Sequence, residues 1–585
     1  MSRNTIRRSL AALVALALTA GTSATPGAPG AEGKKALDAE ELWKMARVSD
    51  PQVSPDGARV AFTVTWYSMS KNRGYGRIYL DSVSKDEQAV PFTNPGAAGK
   101  DWSPRWSPDG KTLAFLSTRT GAPQIWKVPI AGGEAVQATE FPAGVNEFTW
   151  SPDGKSFAFA SDVPPECGAD LPCLAKKAAE EAGPVQAKVI DGLLYRVWNS
   201  WRVGIRSHVF VIPSDGSGPA RDLTPGDHDT PPVDLGSAHD FVWSPDGKEI
   251  AFVTNPTETP AWNTQNDVFT VPASGGEAVR ASESEGSDSA PLYSPDGKWL
   301  AFLSMERPGF EADRKRLAVM DRATGKIRIV DHGMDLSIDD FAWAPDGKSV
   351  IVTAAREARE PVWRIDVASG KATMLVADHV NGSVRVTPDG KSIVFAQQAL
   401  DKPVDLWRLD LAKKGAAPVR ITWFNSKRLD ALEMNPMEEF WFEGANGDRV
   451  HAGLLKPPHF DPSRKYPVVF MLHGGPQGAW TDDFHYRWNA QMFAAPGYVV
   501  VMVNFHGSAG YGQAFLDSVS KSWGTLPYED VMKAIDHVAA TYPFADCDRL
   551  GAAGASYGGY LANWIVANSD RFDAVVSHSG VYDLR

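Results

Sequence analysis

One turn is written seven times into this chain. It begins as Ser54-Pro55-Asp56-Gly57 and returns at Ser107-Pro108-Asp109-Gly110, Ser151-Pro152-Asp153-Gly154, Ser244-Pro245-Asp246-Gly247 and Ser294-Pro295-Asp296-Gly297. Ala344-Pro345-Asp346-Gly347 and Thr387-Pro388-Asp389-Gly390 are the last two copies. An aromatic residue, Trp106, Trp150, Trp243, Tyr293 or Trp343, stands before five of them. Proline presets φ, aspartate hydrogen-bonds its local backbone and glycine takes the left-handed conformation, so each copy encodes a tight turn. Alternating or continuous apolar runs such as Thr112–Leu116 and Glu249–Val253 follow as strands. Successive aspartates lie 53, 44, 93, 50, 50 and 43 residues apart. A period near that of a four-stranded blade, with one hairpin signature per period, predicts a seven-bladed β-propeller over residues 50–420. The aromatic residues before the turns are expected to pack between blades, which accounts for much of the content of 20 tryptophans.

The 93-residue interval holds one blade and an insertion at about 162–206. Within it, Lys176-Lys177-Ala178-Ala179-Glu180-Glu181 reads as helical. Glu180 and Glu181 offer either an anchor for a substrate amino terminus or a plain solvated helix face. Cys167 and Cys173, six apart in the same insertion, form a plausible local disulfide. Cys547 is left over, as a buried thiol or with a partner elsewhere. The cysteine and histidine spacings predict no metal, and nothing in the chain calls for a cofactor.

At the N-terminus, Arg3, Arg7 and Arg8 precede an 11-residue apolar run, Leu10–Ala20, and the small residues Thr22-Ser23-Ala24. That is the pattern of a signal peptide over 1–24, too short to span a bilayer as a mature helix. It predicts an exported protein, periplasmic or secreted, with no stable membrane insertion. An uncleaved anchor would leave the same protein tethered outside the cytoplasm. Residues 25–49 read as a leader with a short helix. The net charge of −12 argues against nucleic acid as a partner.

After residue 420 the pattern changes. Val450–Leu455, Val468–Leu472 and Tyr498–Val503 are apolar strands, and Val531, Ala534, Ile535, Val538 and Ala539 fall on one helical face. Strands alternating with helices predict a mostly parallel α/β sheet over 421–585. Near its end stands Gly554-Ala555-Ser556-Tyr557-Gly558-Gly559-Tyr560, a G-x-S-x-G motif between a short strand, Leu550–Ala553, and a helix, Leu561–Ala567. This is the context of a nucleophile elbow, with Ser556 as the nucleophile. His473-Gly474-Gly475-Pro476 follows an earlier strand and offers backbone N–H groups to a developing oxyanion. Asn504-Phe505-His506-Gly507-Ser508 follows the next and reads as a cleft-lining loop. His473 and His506 are read as shaping their loops, not as bases.

Together these residues resemble the prolyl oligopeptidase family of serine peptidases, and within it the acylaminoacyl-peptidase and dipeptidyl-peptidase V branch. The resemblance runs from about Leu42 to Arg585. It implies a seven-bladed β-propeller on an α/β-hydrolase domain, a peptidase for short peptides, and a propeller that screens out folded proteins. Carried over by position, it implies Ser556 as nucleophile and the N–H groups of Gly475 and Tyr557 as the oxyanion hole. An esterase of the same fold, or an inactive propeller binding protein, is the alternative. In this fold the acid and histidine follow the nucleophile on later strands. Asp570, Asp573, His578 and Asp583 are poorly placed for those roles, so the triad acid and histidine are expected beyond Arg585. The chain reads as the front part of such an enzyme, and alone it is expected to turn over peptides poorly.

Overall fold

The computed structural model describes residues 33–84, 88–96, 99–185, 187–233, 240–331 and 333–583. The expected signal peptide and most of the leader lie outside them. Seven four-stranded antiparallel sheets follow one another from Arg47 to Arg420. Each of the seven turns links the first and second strands of its blade. Their glycines have φ between +65° and +73°, the region where a side chain is strained. In five turns the serine hydroxyl donates to the aspartate at 2.5–2.7 Å, and Thr387 donates to Asp389 at 2.7 Å. The same aspartates accept the backbone N–H two residues on, for example Lys111 to Asp109 at 3.1 Å and Lys298 to Asp296 at 3.1 Å. Alanine replaces the hydroxyl residue only at Ala344.

The tryptophans tie neighbours together. Trp106 Nε1 donates to the Gln52 carbonyl of the first blade at 2.8 Å, Trp150 to Arg105 of the second at 3.1 Å, and Trp343 to Leu292 of the fifth at 3.0 Å. Between blades, middle strands meet face to face. Ala61, Ile78 and Leu80 pack on Leu113, Phe115 and Val128, all fully or nearly buried. Each such phenylalanine or leucine contributes about 1.5–3 kcal/mol of burial. The ring closes without strand exchange. Phe62 and Val60 of the first blade pack on Val394, Leu406 and Ile421 of the seventh. The Asn425 side chain clasps this seam: it accepts from Ala46 N–H and donates to Ala46 C=O, both at 2.8 Å.

The insertion leaves the third blade after Val163 and returns at Arg206, between its second and third strands. It carries a helix, Leu171–Glu181, and a small hairpin. Cys167 and Cys173 are joined, with Cα atoms 5.4 Å apart. Cys173 sits in the first turn of that helix, where Asp170 caps its N–H at 3.2 Å.

The C-terminal domain is a six-stranded sheet in the spatial order Glu438–Glu443, Arg449–Leu455, Val499–Asn504, Tyr466–Leu472, Ala545–Ala555, Ala574–His578. Arg449–Leu455 runs antiparallel to both its neighbours, and the last four strands are parallel. The helix Leu526–Thr541 covers one face with Val531, Ala534, Ile535 and Val538 buried. Ala539, expected on that face, is exposed. The motif strand is also longer than its apolar core implied, running over 11 residues.

Candidate active site

Ser556 sits between the strand Ala545–Ala555 and the helix Tyr557–Asn568 with φ +56° and ψ −119°, a conformation costly for a residue with a Cβ. The surroundings hold it there. Its N–H donates to the His578 carbonyl at 3.0 Å, and its carbonyl accepts from Tyr560 at 3.0 Å. Close approach explains the small residues around it. A Cβ on Gly554 would lie 2.2 Å from the Gly558 oxygen, one on Gly558 2.2 Å from the Leu472 oxygen, and one on Gly559 2.7 Å from Gly580 Cα. Strand, helix and the His473 loop therefore meet at distances that no side chain permits. Ser556 itself is exposed, with the helix N-terminus and its partial positive charge behind it.

The His473-Gly474-Gly475 segment lies against this serine: a Cβ on Gly474 would be 3.6 Å from Ser556 Cβ. Gly475 has φ +123°, and a Cβ there would meet the Gln477 and Gly478 nitrogens at 2.4 Å. Tyr557, which follows Ser556, is buried. Its hydroxyl donates to the Trp523 carbonyl at 2.7 Å, and its ring stands edge-on to Trp523 at 5.2 Å. Burial raises that hydroxyl above the usual tyrosine range. The side chain is thus a fixed post, turned away into the core.

Among the described residues no imidazole bonds the Ser556 hydroxyl. His473 is buried, stacked on Phe505 at 4.0 Å, with its nitrogens on the Gly474 carbonyl (2.9 Å) and the Ser508 hydroxyl (2.8 Å). Burial holds it down to about 4, neutral at physiological pH. His506 is enclosed by Asp530 and Asp448. His578 turns its ring edge-on to Trp488 at 5.3 Å. Asp573 accepts the Leu550 N–H at 2.9 Å and anchors the motif strand, Asp570 is exposed, and Asp583 lies in the segment after the last strand. Glu180 and Glu181 point to solvent on the insertion's helix, near Lys176 at 4.0 Å and Lys188 at 3.7 Å, and neither lines the cleft. Cys547 is a free, half-buried thiol that burial pushes up.

The loop Gly474–Gly478 forms one wall of a cleft of about 830 Å³ between the domains. Leu516 and Trp523 continue that wall, and Phe310, Leu336 and Asp339 of the propeller face it. Asp339 stands where the cleft meets the propeller's central channel, since it lines both. Asp339 is exposed to the cleft, and the surrounding protein raises its carboxyl. Glu360 beside it is pushed up to about 8 by burial and by the charge of Asp339. Sequence reading missed these wall residues and Trp523, because no local pattern marks a residue that acts only across a domain interface. A signal for Asp530 was present: it lies one helical turn before the buried Ala534, a carboxylate on an otherwise apolar face.

Comparison with known proteins follows the same lines. Residues 484–585 match the prolyl oligopeptidase family, and residues 43–165 and 240–419 match the TolB β-propeller domain. Dipeptidyl-peptidase 5 of Porphyromonas gingivalis is 30% identical over 561 residues, covering 94% of this chain and 79% of that protein. Its counterpart in Porphyromonas endodontalis is 30% identical, covering 93% and 78%. Acylaminoacyl peptidase bound to Z-Gly-Gly-Phe-chloromethyl ketone superposes with a TM-score of 0.76 at 20% identity, over 93% of this chain and 79% of that one. The uncomplexed Pyrococcus horikoshii acylaminoacyl peptidase gives 0.75 at 20% identity, with the same coverage. With 30% identity to the Porphyromonas gingivalis protein carried across both propeller and hydrolase, the chain belongs to the prolyl oligopeptidase family of serine peptidases.

Proposed function

We propose that this enzyme takes short peptides by a free amino end and releases dipeptides, with Ser556 as nucleophile and the N–H groups of Gly475 and Tyr557 as oxyanion hole. The observation that carries the reading is the exposed, strained Ser556 at a helix N-terminus, packed against the Gly474–Gly475 backbone beside a cleft roofed by the propeller. Attack by Ser556 Oγ on the peptide carbonyl makes a tetrahedral oxyanion, which the two amides stabilise. The serine proton passes to a general base, and from it to the leaving amine as the C–N bond breaks. Water then hydrolyses the acyl-enzyme.

A cleft of about 830 Å³ falls within the usual range for small-ligand sites, about 300–1,000 Å³, so a few residues fit and a folded domain does not. Asp339, a carboxylate on the propeller wall of the cleft, favours a free amine over an acyl cap. Its surroundings raise the carboxyl, and an arriving ammonium would restore the charged form. The names of the Porphyromonas relatives point the same way. The arginine-flanked apolar run at the N-terminus and the joined Cys167 and Cys173 support an exported enzyme.

The test compares the complete enzyme on a dipeptide amide, its N-acetylated form and a simple ester. The expected result is a kcat/KM at least about tenfold higher for the free amine, the scale set by leaving buried polar groups unpaired. Preference for the acetylated substrate would overturn the dipeptidyl mode, and turnover of the ester alone would make the protein an esterase.

A further inference from the structure

The loop from Asn504 to Gly512 grips the oxyanion loop at three points. The Asn504 side chain accepts from Trp480 N–H at 2.7 Å and donates to Trp480 C=O at 2.9 Å. The Ser508 hydroxyl meets His473 Nε2 at 2.8 Å, and Ala509 N–H donates to the Gly478 carbonyl at 3.0 Å. Whatever fixes this loop therefore fixes Gly474 and Gly475. Its footing is an ion cluster, buried at His506 and Asp530 and open to solvent at Asp448. His506, 1% exposed, gives both its backbone N–H and Nδ1 to Asp530 Oδ2, each at 2.7 Å. Its Nε2 lies 3.2 Å from Asp448 Oδ2. Asp530, fully buried, takes a third donor, Ala445 N–H, at 2.7 Å. One cluster thus joins the helix Leu526–Thr541, the 444–448 turn and the loop beside the nucleophile.

We propose that His506 is a positioning residue for catalysis: bridging Asp530 and Asp448 through both ring nitrogens, it holds the Asn504–Gly512 loop, and through it the Gly475 amide, in the geometry that receives the oxyanion. This rests on the oxyanion-hole reading above. Carboxylate oxygens only accept, so both ring nitrogens must carry hydrogen and the ring must be the imidazolium. The charged groups facing it are Asp530 from the helix and Asp448 from the turn. Lys533 is turned away, with Nζ on the Gly444 carbonyl (2.6 Å) and on Glu529 (2.9 Å). The helix Gln513–Asp517 presents only the Phe515 ring, 4.7 Å away. Burial works against the charge, but the bonds to Asp530 and Asp448 outweigh it and raise His506 above the ordinary imidazole range. A raised group stabilises while protonated. The positioning is therefore complete below the ordinary imidazole value, about 6.5, and is lost as pH rises through the raised folded-state value.

Arginine provides the critical comparison, because it donates to two carboxylates and stays charged across the whole working range. The experiment measures kcat and KM against pH on a dipeptide amide for the complete enzyme and its His506→Gln, His506→Arg and Ser556→Ala variants, with melting curves. Misplacing one oxyanion donor costs about 10²–10³ at most, so His506→Gln should lose about 10- to 100-fold in kcat with KM within about threefold. His506→Arg should recover most of that loss and carry the alkaline limb of kcat to higher pH. If His506→Gln does not fold, wild type against His506→Arg decides alone. A folded His506→Gln with wild-type kcat, or an unmoved alkaline limb in His506→Arg, overturns the proposal. Turnover that survives in Ser556→Ala would instead sink the nucleophile reading beneath it.

Discussion

Gly475→Ala separates the oxyanion loop's geometry from its mere presence. At φ +123° an alanine is strained by about 1–3 kcal/mol. Its Cβ would also start 2.4 Å from the Gln477 and Gly478 nitrogens. Relieving that contact to about 3.0 Å means moving the loop by roughly 0.6 Å. An oxyanion donor works at about 2.7–3.1 Å, and adding 0.6 Å carries it to about 3.3–3.7 Å, where little of the bond remains. The expected loss is that of one donor, about 10²–10³ in kcat or about 2.7–4 kcal/mol of transition-state stabilisation, with KM little changed. Gly497→Ala is the matched control. Gly497 has φ +105° with nothing within 4 Å of its Cβ position, so it bears the strain without the collision and away from the site. Steady-state kinetics on a dipeptide amide, with thermal melts of both variants, is the assay. If Gly475→Ala keeps kcat within about threefold, or Gly497→Ala loses as much, the reasoning fails.

The remaining predictions concern the propeller and the cleft. Ala344→Ser should complete the sixth turn, adding about 1 kcal/mol from a hydroxyl between Asp346 and the Ser349 N–H, or about 1–2 °C in a melt of a domain this size; an unchanged or lower melting point would contradict it. The finished turns should weaken in acid. Asp296, held down to about 2 by the Ser294 hydroxyl and the Lys298 N–H, contributes stability above the ordinary aspartate range that is lost as pH falls through about 2. Asp109 and Asp153 are lowered by the same two bonds, so acid melts of wild type should show the loss concentrated below about pH 4.

Legibility in the sequence followed locality. A propeller turn is settled by serine, aspartate and glycine within four residues, so seven copies sufficed to count seven blades. The elbow is nearly as local: Gly554 answers the close approach of Gly558 four residues on, although Gly558 itself also meets the Leu472 carbonyl of another strand. The edge strand Glu438–Glu443 escaped notice because Phe440, Trp441 and Phe442 run together between glutamates and show no alternation. Positive φ at Asp50, Ser103, Ala290 and Ser383, where the innermost strands of four blades bulge toward the channel, carried no glycine to announce it. The cleft walls were the least legible. Phe310 and Asp339 line the site only because the propeller faces the hydrolase, and Asp530 meets His506 across 24 residues of chain.

The central claim is that Ser556 is the nucleophile, and covalent labelling tests it most directly. The complete enzyme and its Ser556→Ala variant are exposed to a fluorophosphonate, and the labelled peptide is sequenced. The account predicts one adduct, on Ser556, lost in the variant together with turnover of the dipeptide amide. A label on another residue, or turnover persisting in Ser556→Ala, would contradict it.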